Sequence, residues 1–326
     1  MKGPRGLVLC VTVLLATAWT VPVDADPPRR YVLVVSGVSG SPEHAERHAR
    51  WRTTLIETLR GPLGLPDGHL RVLHDDGAGD EDRATAANVR RVVEAWRPTL
   101  GDTDLLVVVL IGHGTYDGVD AKFNLVGPDL EAAEWAALLD GLRGSQVVVN
   151  TASASFPYLR RLAGPRRVVI TATDSPLQKY DTVFAEFFVQ AFTADEADLD
   201  KDGRVSIGEA FTFAGMRARR WYEQRGQLAT ERAVIDDDGD GIGQEAGALG
   251  SDGALASRLF LDEGPEIARS RDPALSELLG RRESLEASID ELRRKRTFMP
   301  PDDYDRELER LLIELARLSR RIRGVS

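Results

Sequence analysis

The sequence predicts an α/β protein built on a mostly parallel, doubly wound sheet. Its short apolar segments are rich in β-branched residues, end at small or polar residues, and alternate with stretches of helical periodicity. That is the pattern of buried parallel strands joined by helices. A chain of 326 residues with 42% hydrophobic content allows one sizeable domain with additions. The predicted strands are Tyr31–Ser36, Leu70–Leu73, Leu105–Ile111, Val147–Asn150 and Val168–Thr173.

The segments between these strands predict helices, because each has its apolar residues on one side. In Glu131–Leu142, for example, Trp135, Leu138 and Leu139 follow helical spacing. The other predicted helices are Glu46–Leu59, Thr85–Trp96, Tyr158–Leu162 and Thr182–Phe192.

Residues 1–25 have the pattern of a signal peptide. Lys2 and Arg5 precede the apolar run Leu7–Ala18, and cleavage is expected after Ala18 or Ala25. We therefore expect a secreted or periplasmic protein. No later segment is apolar over the length that a transmembrane helix needs, so no transmembrane span is expected.

Composition excludes disulfide bonds and thiolate chemistry, and it argues against nucleic-acid binding. The only cysteine, Cys10, lies in the predicted signal peptide, so the mature chain can form no disulfide and carries no thiolate nucleophile. The net charge is −10, which makes the chain a poor match for nucleic acid, and we expect no nucleic-acid partner.

Two of the predicted strands end at reactive side chains. His113 lies between two glycines directly after Leu105–Ile111, and Ser153 follows Val147–Asn150 in an Ala-Ser-Ala-Ser element. Ligands of open α/β sheets bind at the carboxyl ends of strands, so the two side chains predict a shared site. Asp117, four residues beyond His113, is the nearby carboxylate in the sequence that could orient the imidazole.

These elements resemble a known pattern. Val-Leu-Ile-Gly-His-Gly at 109–114, followed by Ala-Ser-Ala-Ser at 152–155, is similar to the legumain/caspase superfamily of cysteine peptidases. The family pattern is a hydrophobic run ending in His-Gly and a second run ending in Ala-Cys-x-Ser-Gly. The resemblance implies a caspase-like fold for residues 26–192, with flanking helices, and a peptidase-type site with His113 as its base.

The chain departs from that family pattern at three positions. Ser153 stands where the family has its nucleophilic cysteine, Phe156 where it has glycine, and Thr151 where legumains have an acidic specificity residue. The dipeptide Arg47-His48 is similar to the Arg-His that follows the first strand of legumains, where the arginine helps to hold substrate. We interpret it here as the solvated start of a helix.

Three functions are compatible with this site. The first is a non-catalytic relative of the peptidases, because a serine hydroxyl needs both a hydrogen-bonded base and a third group to orient that base. The alternative is an active hydrolase, in which His113 activates Ser153 and the amides of Gly114 and Ser153 hold the oxyanion. The third is a calcium-regulated scaffold that binds a protein or peptide partner.

A calcium loop is predicted at Asp198–Glu209, where DLDKDGRVSIGE matches the EF-hand pattern between two predicted helices, Val183–Phe192 and Ala210–Gln224. Gly203 supplies the sharp turn. The predicted Ca²⁺ ligands are the carboxylates of Asp198, Asp200 and Asp202, the carbonyl of Arg204, Ser206 through water, and the bidentate carboxylate of Glu209.

A second acidic loop repeats the first half of this pattern. Asp236, Asp238, Asp240 and Gly241 match the opening positions, but Gly247 stands where the bidentate glutamate belongs. We expect weak binding or a purely structural loop. The spacing between the two loops resembles that of paired EF-hands, so residues 193–250 are predicted as one calcium-binding region.

Residues 273–326 predict an antiparallel, coiled-coil-like helical hairpin broken at Pro300-Pro301. Leucine and isoleucine recur there at spacings of three and four residues on both sides of the break. We interpret this hairpin as an interaction module through which the protein could associate with itself.

Overall fold

The computed structural model describes residues 28–77, 79–247, 252–262 and 299–323, together with single positions between 277 and 292. The predicted signal peptide, residues 1–25, lies outside them. The strands are β1 Arg30–Ser36, β2 Leu70–His74, β3 Leu105–Ile111, β4 Gly114–Tyr116, β5 Ala121–Phe123, β6 Leu130–Glu131, β7 Ser145–Asn150, β8 Arg167–Thr171, β9 Val234–Asp236 and β10 Gln244–Glu245. The helices are α1 Pro42–Arg60, α2 Ala86–Trp96, α3 Ala132–Leu139, α4 Pro157–Leu162, α5 Phe184–Ala191, α6 Ile207–Gln224 and a last helix, Pro301–Arg323. Short 3₁₀ turns occur at Asp67–His69, Asp80–Asp82 and Ala256–Arg258.

The central sheet has seven strands in the order β10-β9-β8-β7-β3-β1-β2. Strands β2, β1, β3, β7 and β8 run parallel, and β9 and β10 close one edge in antiparallel pairing. The prediction of a mostly parallel sheet is therefore confirmed, and all five predicted strands lie in it. The register pairs Ile111 with Ser36 and Leu110 with Asn150, which brings the carboxyl ends of β1, β3 and β7 together.

Helices cover both faces of this sheet, as the predicted doubly wound topology requires. Alternate strand residues point to opposite sides. Val107 belongs to the core that includes α1, α5 and α6, whereas Val108 belongs to the core that includes α2, α3 and α4. Full burial of a side chain of this size contributes about 1.5–3 kcal/mol, so the two layers together are the main source of stability.

Helix α1 begins at Pro42, four residues before the predicted start at Glu46. The Ser41 hydroxyl accepts a hydrogen bond from the His44 N–H at 3.3 Å, and proline suits the first helical position because its missing N–H is not needed there. The dipeptide Arg47-His48 consequently lies inside the helix. The interpretation of that dipeptide as a solvated start is wrong, because His48 is only 3% exposed.

A small antiparallel sheet, β4-β5-β6, follows His113 and was not predicted. Its strands have two or three residues, too few for an alternating pattern to be visible in the sequence. Asn124 ties it to the central sheet: its N–H donates to the His113 carbonyl at 3.0 Å, and its carbonyl accepts from Val38 at 3.1 Å. This small sheet therefore fixes the backbone on which His113 stands.

The last helix packs against apolar side chains from the described positions of 277–292. Leu285, Ile289 and Leu292 are buried with Leu311, Leu318 and Ile322 in a separate cluster. The predicted hairpin of residues 273–326 remains a prediction, because residues 273–276 and 293–298 lie outside those described. Among the described residues, no helix combines the length and the apolar character needed to cross a membrane.

Candidate functional site

The two motif segments meet at the carboxyl ends of β3 and β7. The Ser153 hydroxyl donates to the Gly114 carbonyl at 3.2 Å, and the Gly114 N lies 3.4 Å from the same hydroxyl oxygen. A Cβ at Gly114 would stand 2.4 Å from the Ser153 carbonyl oxygen, so only glycine allows this approach. The sequence prediction that His113 and Ser153 share one end of the sheet agrees with this placement.

The His113 ring is held by groups other than Ser153. Its Nε2 lies 3.1 Å from the Ser39 carbonyl, and its Nδ1 lies 3.6 Å from a carboxylate oxygen of Asp181. Burial lowers the pKa of His113, and Asp181 opposes that shift. The rings of His44 and His48 stand 4.7 and 5.3 Å from the His113 ring, so three imidazoles cluster at this point.

Asp181 is the residue that sequence reasoning missed. It lies between β8 and α5, and its carboxylate also contacts His44 Nε2 at 2.6 Å and Arg47 Nη2 at 2.9 Å. Burial opposes ionisation of this carboxyl, yet the Arg47 hydrogen bond and the neighbouring imidazoles hold its pKa below the usual range. The carboxylate considered from the sequence, Asp117, instead contacts Lys122 at 3.6 Å and caps its own turn.

The loop after β7 is hydrogen-bonded to its surroundings. Ser153 is 5% exposed, and the next residue, Ala154, has a left-handed φ of 51° with its N–H donating to the Gln178 carbonyl. Ser155 contacts Thr173 at 3.1 Å. Thr151 is buried and donates to the Leu110 carbonyl at 2.7 Å, so it stabilises the strand end rather than facing a ligand.

The predicted calcium loop lies between α5 and α6, and its acidic side chains converge. Carboxylate oxygens of Asp198, Asp200 and Glu209 lie within 4.8 Å of one another. Gly203 has a φ of 90°, as the predicted turn requires. Glu209 reaches across the loop: one oxygen accepts from Leu199 N at 2.8 Å, and the other accepts from the Ser206 hydroxyl at 2.8 Å. Burial, with the charges of Asp202 and Glu209, raises the pKa of Asp200 to about 7.

A segment near residue 260 pairs with this loop. Ser206 forms an antiparallel bridge with Phe260, and the Ile207 N–H donates to the Leu259 carbonyl at 2.8 Å. The Arg204 guanidinium lies over the Phe260 ring at 3.7 Å and forms an ion pair with Asp262 at 2.8 Å. Paired EF-hand loops were expected from the spacing, but the bridge partner is this segment and not the second acidic loop.

Two oxygens of Asp202 have different partners. One accepts the Arg204 N–H at 2.7 Å, and the other pairs with the guanidinium of Arg282 from the C-terminal segment. The side chains of Asp202 and Arg282 are 5% and 13% exposed. The loop backbone therefore binds one oxygen of Asp202, and Arg282 binds the other.

The second acidic loop begins on β9 and is completed from an unexpected position. Asp236, at the end of β9, is fully buried and accepts N–H bonds from Gly239 and Gly241. Carboxylate oxygens of Asp236, Asp238 and Asp252 lie within 4.8 Å of one another. Asp252 accepts from the N–H groups of the loop, and burial raises its pKa to about 6. Its sequence position lies beyond the EF-hand pattern, which is why the pattern did not identify it.

Comparison with known proteins adds two resemblances of shape. No protein-family model and no characterised relative matches the sequence. The protein GSU0716 from Geobacter sulfurreducens has a similar structure, at 14% identity and a TM-score of 0.43 over 64% of this chain and 93% of that one. The Drosophila initiator caspase Dronc is similar at 12% identity and a TM-score of 0.36, over 64% of this chain and 78% of that one. At these values neither likeness carries a functional conclusion.

Proposed function

We propose that this protein is an exported, calcium-binding relative of the legumain/caspase peptidases in which Ser153 and His113 do not cleave peptides. The family assignment rests on the motif positions and on the parallel sheet that brings them together. The observation that carries the non-catalytic part is the pairing of the Ser153 hydroxyl with the Gly114 backbone.

A serine nucleophile needs its base within hydrogen-bond reach. Among the described residues, the hydrogen-bond partner of the Ser153 hydroxyl is Gly114, and the His113 ring nitrogens contact Ser39 and Asp181. The Gly114 N–H faces the serine oxygen, so the amide expected to hold an oxyanion is directed at the nucleophile instead. Both features disfavour nucleophilic attack.

A serine-reactive fluorophosphonate probe tests this assignment. We expect no labelling of the mature protein above that of Ser153→Ala, and no peptide cleavage by either. Labelling that is lost in Ser153→Ala would contradict the proposal. Ser153→Cys adds a positive arm: cleavage or cysteine-probe labelling by this variant would show that the rest of the site is competent.

Calcium binding at Asp198–Glu209 is supported by the three converging carboxylates and by the helices on both sides of the loop. Ligands that bind only the folded state stabilise it by about 2.7 kcal/mol at a hundred times their Kd. Thermal melts with Ca²⁺ and with chelator should therefore differ for the wild type. Asp198→Asn should remove most of the difference, whereas Glu196→Gln, an exposed acid just outside the loop, should keep it. Coincident wild-type melts at saturating Ca²⁺ would refute the assignment.

Asp181 favours the alternative, an active hydrolase, because it supplies a carboxylate next to His113 that could orient the base. The two assignments differ in their response to Asp181→Asn. In an active hydrolase this substitution would reduce turnover strongly. In the non-catalytic protein there is no turnover to lose, and only stability changes.

A scaffold function is supported by the C-terminal cluster. Leu311 and Leu318 are buried against the 277–292 positions, while Leu312 and Ile313 of the last helix are each 45% exposed. We propose that this segment binds a protein partner or a second copy of the chain. Sedimentation of the full chain and of a chain ending at Asp272 tests this: equal association states would exclude self-association through the segment.

A further inference from the structure

The imidazole cluster beside Ser153 plays no part in the proposed calcium binding. His44, His113 and Asp181 each present one ligand atom, and these atoms lie within 4.8 Å of one another. Nitrogen donors favour Zn²⁺ and similar transition metals, whereas Ca²⁺ takes oxygen ligands. The cluster is therefore chemically distinct from both acidic loops.

The arrangement around His113 leaves two acceptors facing each other. With a proton on Nε2, the ring donates to the Ser39 carbonyl, and Nδ1 then carries a lone pair. That lone pair faces the Asp181 carboxylate oxygen at 3.6 Å. A metal ion between the two atoms would accept both lone pairs.

The Ser39 contact is also the kind of support that metal-binding histidines have. A ligating histidine almost always donates its other ring N–H to a carbonyl or carboxylate, which fixes its orientation. In this structure a backbone carbonyl of the loop after β1 supplies that contact. Asp181 is also held in place, because one of its oxygens contacts both Arg47 and His44 Nε2 while the other faces His113.

One ligand separation is already close to that of a tetrahedral site. Bonds of about 2.0–2.1 Å place neighbouring ligand atoms roughly 3.3 Å apart. The distance of 3.6 Å between His113 Nδ1 and one Asp181 oxygen is near this value, whereas His44 Nε2 contacts the other oxygen at 2.6 Å and must move. His44 lies in the first turn of α1, and its side chain is 25% exposed, so it has room to move. Asp181 is 41% exposed, which leaves an open side for a fourth ligand.

A third imidazole lies beside this cluster. His48 is 3% exposed, and its Nδ1 is buried with no hydrogen-bond partner among the described residues. Its ring lies 5.3 Å from the His113 ring, so it borders the cluster without supplying one of the three ligand atoms. Arg47 opposes a cation here, but it is already paired with Asp181.

We propose that His44, His113 and Asp181 form a transition-metal site selective for Zn²⁺ over Ca²⁺, with three protein ligands and one open position. The site accounts for an intact histidine in a chain whose serine does not use it. It depends neither on the calcium loop nor on the inactivity of Ser153.

Titration of the full-length mature protein with Co²⁺ tests the site directly, with excess Ca²⁺ present to fill the oxygen-only loops. We expect one Co²⁺ per chain with the visible bands of tetrahedral nitrogen coordination, and displacement by Zn²⁺. His44→Asn and Asp181→Asn should each weaken binding at least tenfold. His74→Asn is the matched control, because His74 pairs with Asp76 at 2.6 Å on the surface and is in none of the three-ligand groups.

Melts without metal establish that His44→Asn and Asp181→Asn are folded before binding is compared. Absence of the tetrahedral bands in the wild type would overturn the proposal. So would equal Co²⁺ affinity in the wild type, His44→Asn and Asp181→Asn. Failure of the calcium experiment leaves these outcomes unchanged, because the bands report nitrogen ligands that the acidic loops lack.

Discussion

Replacing Arg282, which lies outside the calcium loop in the sequence, should tighten calcium binding at Asp198–Glu209. Asp202 has one oxygen bonded to the Arg204 N–H and the other paired with Arg282. A calcium ion that uses this second oxygen must therefore displace the guanidinium. In Arg282→Gln that oxygen becomes available without competition.

The size of the effect follows from the pair's environment. Both side chains are largely buried, at 5% and 13% exposure, so solvent screens the attraction only in part. Two unit charges about 4 Å apart attract by about 4 kcal/mol at an effective dielectric constant near 20. Desolvation and side-chain entropy offset about half of this, which leaves about 2 kcal/mol. Since 1.4 kcal/mol corresponds to a factor of ten, the variant should bind Ca²⁺ about 30-fold more tightly.

Calorimetric titration at fixed ionic strength measures this change. Arg281→Gln is the matched control: the neighbouring arginine forms its ion pair with Glu314 of the last helix, at 2.8 Å, and not with the loop. Its calcium affinity should equal that of the wild type. The reasoning is refuted if Arg282→Gln and Arg281→Gln bind Ca²⁺ equally. If no variant binds Ca²⁺, the calcium assignment itself fails.

Three further results are expected. Burial raises the pKa of Glu231 from 4.5 to about 7, so the contribution of this group to the free energy of unfolding is complete below about pH 4.5 and is lost as the pH rises to 7. Denaturant unfolding in chelator should show that free energy fall by about 3 kcal/mol over this range in the wild type, and Glu231→Gln should lack this part of the fall. The same pH dependence in both proteins would contradict the assignment. Gly114→Ala should lower the free energy of unfolding by about 1–3 kcal/mol, because its Cβ would meet the Ser153 carbonyl. Gly68→Ala, whose Cβ meets no atom within 4 Å, should leave it nearly unchanged in parallel thermal melts. Leu311→Ala should destabilise the C-terminal cluster by about 2–4 kcal/mol, measured by hydrogen exchange, and an equal effect of the exposed Leu312→Ala would show that burial is not the cause.

The sheet could be predicted because its strands are long and wholly apolar. For Leu105–Ile111 the predicted and observed bounds coincide, since every residue of β3 is buried and the strand is flanked by Asp104 and Gly112. Short elements gave no such signal. Strand β9 has three residues and ends in Asp236, the first residue of an acidic run whose pattern predicts a loop.

The candidate site could be predicted only where its residues lie in local motifs. His113 and Ser153 follow apolar strands, and the calcium loop carries its ligands within twelve consecutive residues. Asp181 comes from a connection much later in the chain, and Asp252 from beyond the second loop. Neither has a spacing pattern, because tertiary packing alone brings each to its site. The start of α1 at Pro42 could not be predicted for a related reason. The Ser41 cap begins the helix before His44 and so places both His44 and His48 on it, beside the site.

Residues 252–262 must be kept in a shortened protein that is used to test calcium binding. Asp252 bonds the second acidic loop, and Phe260 and Asp262 bond the first, so this stretch of eleven residues is a brace shared by both loops. A shortened protein that ends at residue 250, where sequence patterning places the end of the calcium region, would lose the brace along with the C-terminal segment. Its failure to bind Ca²⁺ would then be mistaken for a requirement for the distant helices. Ending the chain at Asp272 keeps the brace, and it is the boundary that separates the two explanations.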